Sequence, residues 1–198
     1  MNIGILGAGH IGSAIARTLA RAGIAASIAN RSGPASLQAL VAELGPNITA
    51  ATSQQVAQAD LVFVAVNWSK LPAALKGLDL SGRIVVDANN PIEAPEFKPF
   101  ELHGRTSSEV FADAVPGARV VKAMNHLLAD VLGSDPRGAG GQRVLFLSGD
   151  DAAAKAEVAA LFERTGYFAI DLGGLAEGGR LQQFPGGPLA IHHLVKQA

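Results

Sequence analysis

Residues 1–12 of the 198-residue chain read MNIGILGAGHIG, and this stretch decides the fold. Its apolar run is too short for a helix and ends at glycine, which is typical of a buried parallel strand. Gly7, Gly9 and Gly12 then follow the spacing G-x-G-x-x-G. In that pattern the first glycine permits a tight turn, the second lets a pyrophosphate approach the backbone, and the third lets the next helix pack closely on the strand.

A glycine-rich turn alone is common, so the residues after it decide whether it binds a ligand. Ile11, Ile15 and Leu19 recur at helical spacing. Gly23 is placed to end that helix, and residues 24–29 (IAASIA) read as a second strand. Phosphates bind well at such a helix N-terminus, so an α/β turn without a ligand is the less favoured alternative. The predicted dinucleotide site consists of Gly7, Ala8, Gly9, His10, Ile11 and Gly12.

The end of the second predicted strand indicates which dinucleotide is bound. An NAD enzyme usually has Asp or Glu there, about 20 residues after the glycines, to hold the ribose 2′-hydroxyl. This chain has Asn30, Arg31 and Ser32 instead. A carboxylate would repel a 2′-phosphate, whereas an arginine can hold one with paired charge-assisted hydrogen bonds. We therefore expect NADP(H). The alternatives are that Arg31 is a solvated surface residue and that Ser32 caps a helix beginning near Pro34.

The composition is that of a globular and rather apolar protein. Hydrophobic residues make up 48% and charged residues 17% of the chain, the net charge is −1, and there is no cysteine. The lack of cysteine excludes disulfides, thiol catalysis and cysteine-ligated metals. The charge gives no overall basic field for nucleic acid, and no apolar run approaches the roughly 20 residues of a membrane span. With no secretory signal evident, we expect a cytoplasmic protein without nucleic-acid or membrane partners.

Strand and helix patterns alternate along most of the chain. They predict a Rossmann-type α/β fold, with a doubly wound, mainly parallel sheet and a short C-terminal helical extension. Residues 1–198 are expected to form a single NADP-binding domain, of which 171–198 are the extension with two short helices. Residues 91–105 are predicted as a surface loop and 133–141 as a mobile loop. Thr106 and Glu109 fit a capping box before a helix over 107–114.

Polar residues that directly follow apolar strands are further candidates, because ligands of open parallel sheets lie beyond the carboxyl ends of the strands. With their neighbours, these candidates are Val66, Asn67, Trp68, Ala88, Asn89, Asn90 and Asn125. Asn67 and Asn90 could bond ribose or carboxamide groups. Trp68 could wall the cofactor cleft or simply pack in the core, and Asn125 could cap the helix after it. His126 could handle a proton or be structural. No residue is predicted to be catalytic or to bind metal.

Several motifs together resemble a known family. They are GAGHIG at 7–12, NRS at 30–32, VKAMN at 121–125 and DLGGL at 171–175. The set is similar to the coenzyme F420-dependent NADP oxidoreductases and their bacterial homologues, over essentially the full length. The same module is similar to the cytoplasmic domain of metalloreductases that pass electrons from NADPH to a flavin. The resemblance implies that NADP is bound by the glycine loop, Arg31 and Ser32. It also implies a nicotinamide pocket made of Trp68, Asn90, Asn125 and residues 185–189.

The activity that the resemblance implies is hydride transfer between NADPH and a deazaflavin (F420), or a flavin such as FMN or FAD. Such a transfer depends on ring stacking and distance rather than on an acid or base, because the cofactors supply the chemistry. The resemblance also implies a homodimer in which residues 171–198 contribute to the pocket and the interface. Two alternatives stay open: a non-catalytic NADP-binding sensor, and a reductase of a small carbonyl or imine substrate.

Overall fold

The computed structural model describes residues 1–93, 96–138 and 140–197. Ala94 and Pro95 of the predicted surface loop, Ala139 of the predicted mobile loop and the terminal Ala198 lie outside the described residues. The strands are β1 (Ile3–Leu6), β2 (Ala26–Ala29), β3 (Ile48–Ala50), β4 (Leu61–Val64), β5 (Ile84–Asp87), β6 (Ile92–Glu93), β7 (Lys98–Pro99), β8 (Arg119–Ala123), β9 (Gly141–Ser148), β10 (Phe168–Asp171) and β11 (Val195–Gln197). The α-helices are α1 (His10–Arg21), α2 (Gln38–Leu44), α3 (Ser53–Val56), α4 (Leu71–Leu75), α5 (Ser107–Ala114), α6 (Ala129–Gly133), α7 (Ala152–Arg164) and α8 (Glu177–Gln182).

The main sheet has the strand order β3-β2-β1-β4-β5-β8-β9-β10, with β11 paired to β9. The strands from β3 to β8 in this order are parallel. β9 runs antiparallel to β8, while β10 runs parallel to β9 and β11 antiparallel to it. The order reverses between β1 and β4, and ligands of open α/β sheets bind at such a point. The predicted Rossmann-type, mainly parallel sheet is confirmed.

Both faces of the sheet are covered, as the doubly wound prediction requires. Along β4, Leu61 and Phe63 belong to one buried apolar cluster, together with Ile15 of α1. Val62 belongs to a second cluster on the other face, together with Phe111 of α5. Successive side chains of a strand point to opposite faces, so an unbroken apolar strand needs helices on both sides. None of the described helices is long and apolar enough to cross a membrane.

The best local matches between sequence and structure are helix ends. α1 stops at the predicted place, and Gly23 follows it with a φ of 69°. At the start of α5, the Glu109 N–H donates to Thr106 Oγ1 at 3.2 Å, and the Thr106 N–H donates to Glu109 Oε2 at 2.7 Å. This is the predicted capping box, which satisfies two N–H groups that a helix start leaves free.

Three elements differ from the sequence predictions. The described part of the tail holds one helix, α8, whereas its last residues form β11 instead of a second helix. Pairing with β9 supplies main-chain hydrogen bonds that so short a segment could not gain as an isolated helix. Within the predicted loop at 91–105, the short strands β6 and β7 pair antiparallel. The helix predicted directly after Asn125 begins only at Ala129.

Candidate cofactor site

The three glycines of the motif have different surroundings. A Cβ on Gly7 would lie 2.1 Å from the Ala65 carbonyl oxygen, and a Cβ on Gly12 would lie 1.9 Å from the Gly7 carbonyl oxygen. Gly7 also has a φ of 110°, which strongly favours glycine. A Cβ on Gly9 would meet no protein atom within 4 Å. Packing therefore requires Gly7 and Gly12, whereas the missing side chain at Gly9 leaves space for a ligand.

The N-terminus of α1 is open to an anion. Gly9 precedes the helix without a side-chain cap, and the first turn contains no acidic residue. The first N–H groups of a helix have no partner within it, and their dipoles favour negative charge. A groove of about 840 Å³ starts at this point and continues between α1 and α6. The groove is lined by Ala8, Gly9, His10, Ser13, Ala14, Arg17, Leu40, Asn67, Ala129, Asp130, Gly133 and Ser134.

Of the three residues after β2, Asn30 bonds within the protein, whereas Arg31 and Ser32 have exposed side chains. The Asn30 Nδ2 donates to Ser36 Oγ at 2.9 Å, and Ser36 Oγ donates to the Gly33 carbonyl at 2.7 Å. Arg31 and Ser32 are exposed. Ser32 is not the helix cap that the alternative interpretation expected, because Gly33 holds that position and no side-chain bond caps the 3₁₀ turn after it. Arg31 and Ser32 thus follow the carboxyl end of β2 with their side chains open to solvent.

The polar residues after β4 and β5 are joined to each other. The Val66 N–H donates to Asn89 Oδ1 at 2.9 Å, and Asn89 Nδ2 donates to Asp87 Oδ1 at 2.7 Å. Asn89 is only 4% exposed, so its amide is used inside the protein rather than offered to a ligand. Asn67 is exposed and lines the groove beside the glycine loop.

Trp68 and Ala88 are both buried, with exposed fractions of 9% and 4%. Trp68 belongs to the apolar cluster of Val62 and Phe111 on one face of the sheet. Little of its ring is left to contact a ligand. This supports the packing alternative for Trp68 over a role as the wall of the cofactor cleft.

Asn90 and Asn125 form a reciprocal pair that ties the strand ends to the tail. Asn90 Nδ2 donates to the Asn125 carbonyl at 2.8 Å, and Asn125 Nδ2 donates to Asn90 Oδ1 at 3.0 Å. Asn125 Nδ2 also donates to the Gln182 carbonyl at 2.8 Å, and the Phe184 N–H donates to Asn90 Oδ1 at 3.1 Å. Asn125 does not cap α6, because Leu128 holds that position. Met124 has a φ of 59°, and this left-handed turn re-aims the chain after β8.

His126 is fully buried and packs against Phe146, with 4.6 Å between the ring centroids. Burial lowers the pKa of His126 to about 4, since a charged ring would lose its hydration. His126 is therefore neutral near pH 7, and the structural interpretation of this residue is supported over proton handling.

A buried ion pair that was not among the predicted site residues lies at the carboxyl ends of β5 and β8. Lys122 Nζ lies 3.0 Å from Asp87 Oδ2, and both side chains are 0% exposed. Lys122 Nζ also donates to the Asn89 carbonyl. The signal was present in the sequence, because a charged residue within an otherwise apolar buried strand needs a partner. Finding that partner required knowing that β5 and β8 are neighbours.

The predicted site residues thus do not all lie together. Part of the glycine loop and Asn67 line one groove, while Arg31 and Ser32 are exposed after β2. Asn89 bonds to Val66 and Asp87, whereas Asn90 and Asn125 form a pair that is bonded to the tail. Over the described residues, no three His, Asp or Glu side chains come close enough to hold a metal ion. His193, which follows His192 near the end of the chain, accepts a hydrogen bond from Arg143 Nε at 2.8 Å.

Similarity to known proteins indicates the class of protein to which this chain belongs. Residues 2–91 match the family described as coenzyme F420-dependent NADP oxidoreductase. The structure of a hypothetical protein of Sinorhizobium meliloti is 44% identical, with a TM-score of 0.94 and coverage of 100% of this chain and 96% of that chain. An Arthrobacter protein, provisionally named an F420-dependent NADP reductase, is 34% identical, with a TM-score of 0.74 and coverage of 88% and 86%.

A curated relative of different size is metalloreductase STEAP3 of Rattus norvegicus. It is 29% identical over 186 residues, which are 92% of this chain and 36% of the relative. The chain thus spans only about a third of that relative's length. Together, the glycine loop, the fold and these matches define an NADP-dependent oxidoreductase. The chain belongs to the coenzyme F420-dependent NADP oxidoreductase family.

Proposed function

We propose that this protein transfers hydride between NADPH and a deazaflavin such as F420, or a flavin such as FMN or FAD. When bound, NADPH supplies a hydride from C4 to the acceptor ring, leaving NADP⁺, while the acceptor gains two electrons and takes one proton from water. The protein's part is to bind both ring systems, to align them and to exclude water from between them. Membership of the family already implies that the nucleotide is NADP(H), so what we propose in addition is the class of the hydride acceptor.

The observation that carries the nucleotide half of the proposal is the open space at Gly9. The other two motif glycines contact protein, whereas Gly9 borders the groove at the uncapped start of α1. A pyrophosphate there would gain N–H donors and a favourable helix dipole. We assign Gly7, Ala8, Gly9, His10, Ile11 and Gly12 to the pyrophosphate. Exposed Arg31 and Ser32 would hold the 2′-phosphate, where the chain has no carboxylate to repel it.

The ionisable side chains at the carboxyl ends of the central strands are buried, which is consistent with a hydride transfer that needs no acid or base from them. Asp87, Lys122 and His126 are each 0% exposed. A general acid or base must reach the atom whose proton it moves, and these three are enclosed by protein. Ring-to-ring transfer can take its one proton from water, so the enclosure of these three groups favours a deazaflavin or flavin over a carbonyl compound that would draw on them for the proton at its oxygen.

The enzyme test is NADPH oxidation followed at 340 nm with purified F420, FMN or FAD, and with a small cyclic imine as the competing substrate class. We expect turnover with at least one ring acceptor and none with the imine. Turnover with the imine alone would contradict the proposed ring acceptor and show that the substrate is a carbonyl or imine compound. Tight NADPH binding without turnover of any of the four would establish the sensor alternative.

We also propose that the protein acts in the cytoplasm.

We further propose that two copies associate through the surface around the tail. Large apolar side chains are exposed on the tail and on the loops beside it, at Phe97 (59%), Leu128 (68%) and Ile191 (62%). The Phe97 ring centroid lies 6.5 Å from that of Phe184 in the tail, and the Ile191 N–H donates to the carbonyl of His126, two residues before Leu128. Exposed apolar side chains of this kind favour a partner. Light scattering after size exclusion should give twice the 20.2 kDa chain mass, and a mass near 20.2 kDa would contradict the dimer.

A further inference from the structure

The buried pair of Lys122 and Asp87 joins the ends of two central strands. The two residues are direct neighbours in the β5–β8 register. Asp87 Oδ1 accepts the Asn89 N–H at 3.0 Å and Asn89 Nδ2 at 2.7 Å, while Asp87 Oδ2 faces Lys122 Nζ at 3.0 Å. Both carboxylate oxygens and the ammonium group therefore hold the first turn after β5.

This pair is an unusual choice if stability were its only purpose. Removing two charges from water costs more than their attraction often returns, and apolar side chains of similar volume commonly serve as well or better. Burial also lowers the pKa of Lys122, against the effect of Asp87, so the enclosure opposes the charge. A buried ion pair at a strand end is therefore expected to hold neighbouring groups in position.

The network continues from Asn89 to the glycine loop. Asn89 Oδ1 accepts the Val66 N–H at 2.9 Å, which fixes the backbone just after β4. Val66 packs directly beside Gly7, since a Cβ on Gly7 would lie 2.9 Å from Val66 Cγ1. The next residue, Asn67, lines the groove. A continuous set of contacts thus runs from the Lys122 ammonium group to the wall of the groove at the start of α1.

We propose that Lys122 is a positioning residue for hydride transfer. Its ammonium group holds Asp87 and the Asn89 carbonyl, and the Asn89 side chain in turn fixes the turn at Val66 against the nicotinamide half of the bound nucleotide. This inference rests on the proposed function. It adds a residue, remote from solvent and from the glycine loop, whose loss should affect the chemical step more than nucleotide binding.

The test variant is K122M/D87N, which removes both charges while keeping the side-chain volumes and leaving no unpaired ion. K122M alone would strand a buried carboxylate and could fail to fold. In the double variant the amide of the new Asn still offers an acceptor to the Asn89 N–H, but nothing donates to the Asn89 carbonyl. R119M is the matched control, because Arg119 forms an ion pair with Asp151 at the opposite end of the same strand, at 2.6 Å.

Three quantities are measured for wild type, K122M/D87N and R119M. Amide hydrogen exchange without ligand should be at least about 10-fold faster at Val66 and Asn89 in the double variant, while R119M keeps wild-type exchange there. The Kd for NADPH should stay within about 3-fold of wild type, because the hydrogen bonds of Lys122, Asp87 and Asn89 do not involve the first N–H groups of α1, where the pyrophosphate would bind. The kcat with the best ring acceptor should fall about 10- to 100-fold, the range expected for a reactant misplaced by about 1 Å.

A purely structural pair would lower the melting temperature and leave kcat unchanged in the folded enzyme, and that result would overturn the proposal. Unchanged exchange at Val66 and Asn89 would also overturn it, whether or not the enzyme turns over. If wild type itself reduces no ring acceptor, the proposed function fails. The exchange data then still decide whether Lys122 orders the turn at Val66.

Discussion

Replacing Gly9 by alanine should weaken NADPH binding and leave the fold intact. Gly9 has a φ of −76°, which any residue adopts, and its added Cβ would meet no protein atom within 4 Å. Alanine is a poorer residue than glycine before a helix, so the free energy of unfolding should change by at most about 1 kcal/mol. The effect on the protein alone is therefore small.

The effect of the same substitution on NADPH affinity should be large. The new methyl group would stand where the pyrophosphate approaches the first N–H groups of α1. Displacing the phosphate costs at least one charge-assisted hydrogen bond, which contributes about 1.5–3 kcal/mol. The Kd for NADPH should rise by about 10- to 150-fold, since 1.4 kcal/mol corresponds to a factor of ten.

Gly12→Ala is the matched control for this prediction. Its Cβ would lie 1.9 Å from the Gly7 carbonyl oxygen, so the loop or the helix must shift and the melting temperature should drop clearly. Fluorescence titration with NADPH and thermal unfolding of both variants are the assays. If Gly9→Ala binds NADPH as tightly as wild type, or melts as low as Gly12→Ala, the assignment of the open space at Gly9 to the pyrophosphate is refuted.

Two further predictions concern residues outside the glycine loop. Arg31→Ala should raise the Kd for NADPH about 10- to 100-fold and leave that for NADH nearly unchanged, because only the 2′-phosphate loses a partner; equal losses for both nucleotides would contradict this role. The lowered pKa of His126 means that the unfolded chain gains a proton between pH 6.5 and about 4 while the folded chain does not. The free energy of unfolding should therefore fall as pH falls through this window, by up to about 3 kcal/mol. In urea titrations His126→Leu should lose this part of the slope, and an unchanged slope would show that other groups cause it.

Local patterns explain why much of the fold could be read from the sequence. The apolar run of β1, the three glycines and the helix spacing after them are all encoded within 21 residues, and the structure places them as predicted. The capping box at Thr106 and Glu109 was likewise correct, because both bonds lie within one turn. Each of these features depends on residues that are close in the chain.

Features that depend on pairing between distant segments could not be read in this way. Residues 195–197 form a strand only because β9 offers an edge to them. Asn89 and Asn125 were predicted as ligand contacts from their place after apolar strands, but their amides bond to Asp87, Asn90 and Gln182. The Lys122–Asp87 pair spans 35 residues and needs the strand register to be known. A polar residue at a strand end is therefore a guide to the position of the site, and the structure must say whether it faces ligand or protein.

The most direct test of the account is a single turnover with NADPH deuterated at C4, in each of its two stereoisomers, with F420 as acceptor. We predict that one isomer delivers its deuterium to C5 of the reduced deazaflavin, with a primary isotope effect on the rate, and that the other leaves C5 unlabelled. Deuterium appearing in water instead of at C5 would contradict direct hydride transfer, and failure to reduce F420 would exclude the deazaflavin and leave only a flavin among the proposed acceptors.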